Sequence, residues 1–140
     1  MSEKKYTREH LRILRFIIML DGISPQLKKV LLATMIALFQ KKENEHRSAG
    51  EVANDYFSED EFEFSYGPPG ELAKQLHFTD EHMEAILAIL GTKKLKVASK
   101  LSAIKMLIAY FLSDDPQPVE VLTNFVLLLH EKELKPKKDR

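Results

Sequence analysis

The sequence contains no cysteine. That excludes disulfides, thiolate zinc sites, iron–sulfur clusters and a cysteine nucleophile together. Only five glycines occur, and none gathers into a phosphate-cradling loop. No serine stands in a nucleophile-elbow context, and no His-Glu-x-x-His pattern is present among His10, His46, His77, His82 and His130. Long apolar runs are missing too. The run from Ile13 to Leu20 is broken by Arg15, and that from Val121 to Leu129 carries Thr123 and Asn124 and is too short to span a bilayer. Nothing behind the first residues has the form of a signal peptide. These absences lead us to expect a cytoplasmic protein with no transmembrane segment, no cofactor and no catalytic role.

What is present is a chain of 140 residues, 44% of them apolar, enough for one domain with a sizeable core. Its formal net charge is zero, but the charges are segregated. Between Glu43 and Glu84 lie twelve acids and only two bases, Arg47 and Lys74, a net of ten negative charges that the rest of the chain balances. Separation on this scale gives local potential that the total conceals.

Helical periodicity dominates, and no segment carries a clear strand pattern. A first helix is expected over about Thr7 to Leu20, with Leu11, Leu14, Ile17 and Ile18 on one face and Arg8, Arg12 and Arg15 on the other. Ser24-Pro25 opens a second, with serine as N-cap and proline at the first helical position. Ser48-x-x-Glu51 has capping-box spacing and starts a third towards Phe57. Residues 57–70 read as an irregular acidic-aromatic loop containing Gly67-Pro68-Pro69-Gly70. A short helix follows over Glu71 to Leu76. Thr79 is the expected N-cap of a fifth helix ending near Gly91, with Phe78 and Met83 placed as a hydrophobic staple. A sixth spans Val97 to Leu112. Asp114 or Asp115 is expected to cap a seventh, from about Pro116 to Glu133, which is apolar on most sides. Leu122, Phe125, Val126 and Leu129 should therefore be buried centrally. Residues 135–140 form a basic tail expected to fray. A helix, an Asp-containing break with proline and a second apolar helix recur at 11–43 and 101–133. The expected architecture is an all-α single domain, 1–140, of six or seven helices, with two helical hairpins in pseudo-repeat.

The two breaks, Leu20-Asp21-Gly22-Ile23-Ser24 and Ser113-Asp114-Asp115-Pro116 with Glu120, resemble the Asp-containing loops of the TerB-like (tellurite-resistance B) all-helical family. The resemblance implies a helical stress-response protein that binds divalent cations through paired acidic loops. Its ligands here would be Asp21, Asp114, Asp115 and Glu120.

Two further surfaces stand out. Lys93, Lys94, Lys96 and Lys100, with Lys105, form a basic cluster suited to an anionic ligand. No aromatic is interleaved for base stacking, and the neighbouring segment opens with Asp80-Glu81-His82, so nucleic acid is disfavoured. The other is Glu59, Asp60, Glu61, Phe62, Glu63, Phe64 and Tyr66, where acids alternate with aromatics. Such a segment either folds onto the domain or meets a partner. The reading that follows is a non-catalytic interaction module presenting an acidic face, centred on these residues, to a basic protein or to a second copy. A metal-sensing module and a nucleic-acid-associated regulator are the alternatives.

Overall fold

The computed structural model describes residues 5–57, 78–113 and 117–134. Among them are six α-helices and two two-residue strands: β1 (Lys5–Tyr6), α1 (Arg8–Ile18), α2 (Pro25–Gln40), a 3-10 turn (Lys42–Asn44), α3 (Ala49–Phe57), β2 (Phe78–Thr79), α4 (Asp80–Gly91), α5 (Val97–Phe111) and α6 (Val119–Leu134). The chain is an all-α bundle, as its periodicity predicts. The paired strands are too short to register as a period-2 pattern, which is why the sequence hides them.

Local signals place the helix ends. Ser24 Oγ accepts from the Leu27 N–H at 3.2 Å, and Pro25 follows in the first turn. The Ser48–Glu51 box closes reciprocally: Ser48 N–H donates to Glu51 Oε1 at 3.0 Å, and Glu51 N–H donates to Ser48 Oγ at 3.1 Å. Gly22, at φ 78°, turns the chain from α1 into α2 in the left-handed region that disfavours side chains.

The arrangement is a pseudo-two-fold built from one chain. Each half runs strand, threonine cap, helix, turn, helix: residues 6–40 and 78–112, offset by 72 positions without a gap. Tyr6 faces Phe78 in the antiparallel β1–β2 pair, and these are equivalent residues, so the two-fold axis passes between them. Other identities at this offset are Thr7/Thr79, Glu9/Glu81, His10/His82, Ile17/Ile89, Lys28/Lys100, Ile36/Ile108, Ala37/Ala109 and Phe39/Phe111. The packing obeys the same symmetry. The α1–α2 hairpin matches α4–α5, α1 against α5 matches α2 against α4, and α2 meets its own equivalent α5. Reciprocal contact of this kind is what an isologous interface gives two subunits. Here a linker joins them.

The hydrogen bonds repeat as well. The Thr7 N–H donates to His10 Nδ1 at 2.9 Å, and the Thr79 N–H to His82 Nδ1 at 3.1 Å. Each imidazole meets its half's terminal phenylalanine edge-on, His10 against Phe39 at 4.6 Å and His82 against Phe111 at 4.8 Å between ring centres. Lys28 Nζ donates to Ile18 O at 2.7 Å and Lys100 Nζ to Leu90 O at 2.9 Å, so in both halves a lysine from the second helix satisfies a carbonyl at the end of the first. One pair is inverted. Arg8 donates to the Leu112 carbonyl, whereas its counterpart Asp80 accepts from Gln40, the counterpart of Leu112. The repeat therefore lies at 6–40 and 78–112 rather than in the expected 11–43 and 101–133 register.

Leu11, Leu14, Ile17, Leu32, Met35 and Ile36 fill the core from one half, and Met83, Ile86, Ile89, Ile104, Leu107 and Ile108 from the other. The last helix is not central. α3 packs on α1 and α2, and α6 takes the corresponding outer place on α4 and α5. Leu122 and Val126 are buried as expected, Leu129 is half-buried, and Phe125 is 45% exposed. A helix apolar on most sides need not have neighbours on most sides.

Candidate interaction surface on the last helix

α6 uses two faces differently. Val119, Leu122, Val126 and His130 point inward. His130 fixes the helix to α5. Its Nδ1 lies 2.9 Å from the Val126 carbonyl, which can only accept, so Nδ1 donates there, and Nε2 pairs with the Ser102 hydroxyl at 3.2 Å. Turned by helical spacing away from these, Val121, Phe125 and Leu128 are 53%, 45% and 57% exposed. They sit at i, i+4 and i+7 and form one stripe about 10 Å long by helical rise.

Grooves flank that stripe on both sides. One, of about 300 Å³, is lined by Tyr110, Ser113, Gln117, Val121, Leu122 and Phe125, with the Tyr110 and Phe125 rings 5.9 Å apart and edge-on. The other, of about 280 Å³, is lined by Thr92, Lys94, Leu95, Asn124, Leu127 and Leu128. Lys93, Lys94 and Lys96 are exposed in the turn that forms its wall, between α4 and α5.

The pseudo-symmetry supplies an internal comparison. Outside the repeated segments, α3 packs on the first half as α6 packs on the second; α3 buries Ala49, Val52 and Ala53, and its exposed side carries Glu51 and Asp55, the latter paired with Arg47. The fold therefore accepts a polar outer helix there. Nothing in the architecture obliges α6 to expose valine, phenylalanine and leucine. Met19, Leu27 and Val30 are also exposed, around the turn into α2, but they are interleaved with Gln26 and Lys28.

Of the residues singled out from sequence, Glu59, Asp60, Glu61, Phe62, Glu63, Phe64 and Tyr66 lie outside the described residues, as do Asp114 and Asp115. Asp21 and Glu120 are exposed, Asp21 in the α1–α2 turn and Glu120 in the first turn of α6. Among the described residues, no group of three or more acidic or histidine side chains gathers where a metal ion would be held. Lys93, Lys94 and Lys96 are at the surface, but Lys100 leaves the cluster. It is 6% exposed, its ammonium lies on the Leu90 carbonyl, and burial, then neighbouring Lys29, pushes its pKa down. A lysine needed at a helix C-terminus is drawn inward whatever its sequence neighbours.

A cleft of about 270 Å³ with mixed polar and apolar lining opens in the first half beside Tyr6, His10, Phe39, Asn44 and Arg47. It includes Glu9, 8% exposed, whose equivalent Glu81 is exposed. Burial pushes the Glu9 carboxyl up, while Arg12 and the Gly50 N–H pull it down. Through that N–H, Glu9 holds the start of α3. Burial lowers the pKa of His10 to about 4 and lowers that of His82 as well, so both cap imidazoles stay neutral acceptors. Tyr6 donates to Asp80 Oδ1 at 2.5 Å across the two-fold, and its phenol is raised by burial and by that bond.

No family model, curated protein or solved structure matches this chain. Among the described residues, no helix is long and apolar enough to cross a membrane.

Proposed function

We propose that this chain is a protein-interaction module that docks a partner on the outer face of α6, and that it is not an enzyme. The observation that carries this reading is the stripe Val121, Phe125 and Leu128, exposed on the outer side of α6 while the exposed side of α3 is polar. Contiguous exposed apolar side chains flanked by grooves mark binding surfaces, because in an isolated monomer they weaken solubility without adding stability. An exposed aromatic over a pocket is the usual anchor of such an interface. Tyr110 and Phe125, edge to edge beside an apolar groove, supply that anchor. The aromatic-acidic segment at 59–66 is proposed as a separate contact region, for a different and basic partner or for a second copy of this chain.

The test is capture from the source cells with wild-type protein and with the Val121→Glu/Phe125→Glu double variant. Both substituted positions are about half exposed, so the melting temperature should fall by only a few degrees and the variant should stay folded. Proteins retained by the wild type and lost by the variant support the reading. An identical set bound by both rejects the α6 face as the docking surface.

A further inference from the structure

The α6 face is apolar along its stripe and basic along one edge, and this combination specifies the partner. We propose that it binds an acidic polypeptide segment carrying aromatic side chains, with the aromatics seated in the grooves beside Phe125 and Leu128 and the acids against Lys93, Lys94 and Lys96. This rests on the reading of α6 as a docking face.

Three observations converge on it. The groove beside Tyr110 and Phe125, about 300 Å³, is lined almost wholly by apolar surface, and its size suits a single aromatic or leucine side chain. The second groove is continuous with the stripe through Leu128 and with the basic turn through Lys94. Among the described residues, exposed Lys93, Lys94 and Lys96 lie at the second groove's side of the stripe, and exposed Glu120 stands in the first turn of α6, one turn before Asn124. A ligand with acids along one edge and apolar anchors along the other matches that polarity, and Glu120 opposes extension of its acidic edge over the start of α6.

An anionic membrane is the other class of surface with acid and apolar character. The relief argues against it. A helix that lies in a membrane surface presents a continuous apolar face to the acyl chains with Lys and Arg flanking it. Here the apolar stripe is short and lies between two concavities that only discrete side chains can fill.

A probe of this chemistry exists within the chain's own sequence: a synthetic, fluorescein-labelled nonapeptide with the sequence of residues 58–66, in which acids alternate with two phenylalanines and a tyrosine. Anisotropy titration of the full-length protein should show saturable binding that weakens from low to physiological salt, because rim charges are screened over about 10 Å. Phe125→Glu should weaken it by about tenfold or more. The Lys93→Glu/Lys94→Glu/Lys96→Glu variant should weaken it and flatten its salt dependence. A peptide with its acids changed to amides, and one with its aromatics changed to serine, should each bind poorly. Absence of saturable binding, or binding indifferent to Phe125→Glu, overturns the inference. So does co-flotation of the protein with phosphatidylserine-containing vesicles when the peptide does not bind, which would assign the face to a membrane. If Phe125→Glu abolishes capture of cellular partners yet the peptide never binds, the docking face survives and the acidic-aromatic chemistry fails.

Discussion

Phe111 and Phe125 are both phenylalanines on apolar helices, yet the structure assigns them opposite roles, and truncating each to alanine measures the difference. Phe111 is 1% exposed and touches His82 and Phe78 with ring centres at 4.8 and 6.5 Å. Removing it deletes a fully buried ring and leaves a cavity that α4 and α5, tied by the Lys100–Leu90 bond, cannot close. The expected loss is about 3–5 kcal/mol. Phe125 is nearly half exposed. Complete burial of such a side chain contributes about 1.5–3 kcal/mol, so its half-burial contributes about 1 kcal/mol, and no cavity term follows because the vacated space opens to water. Urea denaturation of the two variants should therefore show midpoints well separated, with slopes like the wild type. In thermal melts, at about 2–4 °C per kcal/mol for a chain of this size, Phe111→Ala should fall by roughly 10 °C and Phe125→Ala by a few degrees. Equal losses would mean that the outer face of α6 is covered in solution, and the docking surface would fall with it.

Other outcomes follow from the paired halves. Thr79→Ala and Ser24→Ala each remove a cap acceptor and should destabilise by about 1 kcal/mol in denaturant titrations. Lys100→Ala should destabilise by about 1–3 kcal/mol, because it leaves a helix-end carbonyl buried without its charged donor, and Lys28→Ala by less because Lys28 is half-exposed; equal and negligible effects would refute the capping role. His10, held near pKa 4 by burial against about 6.5 in the unfolded chain, stabilises the fold fully above about pH 6.5, and up to about 3 kcal/mol is lost as pH falls towards 4. His82 acts in the same direction, and Glu9, whose carboxyl is raised, in the opposite one. His10→Gln keeps an acceptor for the Thr7 N–H but does not titrate, so it should flatten stability against pH over that window; an unchanged slope would show that His10 does not govern it.

Helix positions were legible because local chemistry decides them: Ser24-Pro25, Ser48-x-x-Glu51 and Thr79 act within one turn of chain. The true repeat was legible in principle, as Tyr6-Thr7-x-Glu9-His10 recurs as Phe78-Thr79-x-Glu81-His82. It is obscured because what the halves share most visibly is caps and a helix-end lysine, while most core positions interchange leucine, isoleucine and methionine. A search for apolar helix, break and apolar helix finds a false register, since any two hairpins satisfy it. The exposure of Phe125 was not legible at all. Periodicity states how apolar a helix face is, and only the neighbours state whether anything covers it. Lys100 failed for the related reason that its partner, the Leu90 carbonyl, becomes adjacent only once α4 and α5 fold into a hairpin.

A chain folded as two equivalent halves separates what the architecture needs from what has been added to it. The histidine caps, the terminal phenylalanines and the lysines on helix-end carbonyls occur twice, so the fold accounts for them. Differences at equivalent places are not required by packing and need another cause. Three stand out: buried Glu9 against exposed Glu81, Arg8 against Asp80, and the polar outer side of α3 against the apolar one of α6. The second is closed by hydrogen bonds to Leu112 and from Gln40; the first is met only in part, because the Gly50 N–H reaches the Glu9 carboxylate while its Oε2 is buried without a hydrogen-bond partner. The third has no explanation among the described residues, where Val121, Phe125 and Leu128 are exposed. That difference, the apolar outer side of α6, is the one on which the proposed docking rests, and the exposed lysines beside it are why an acidic partner is proposed.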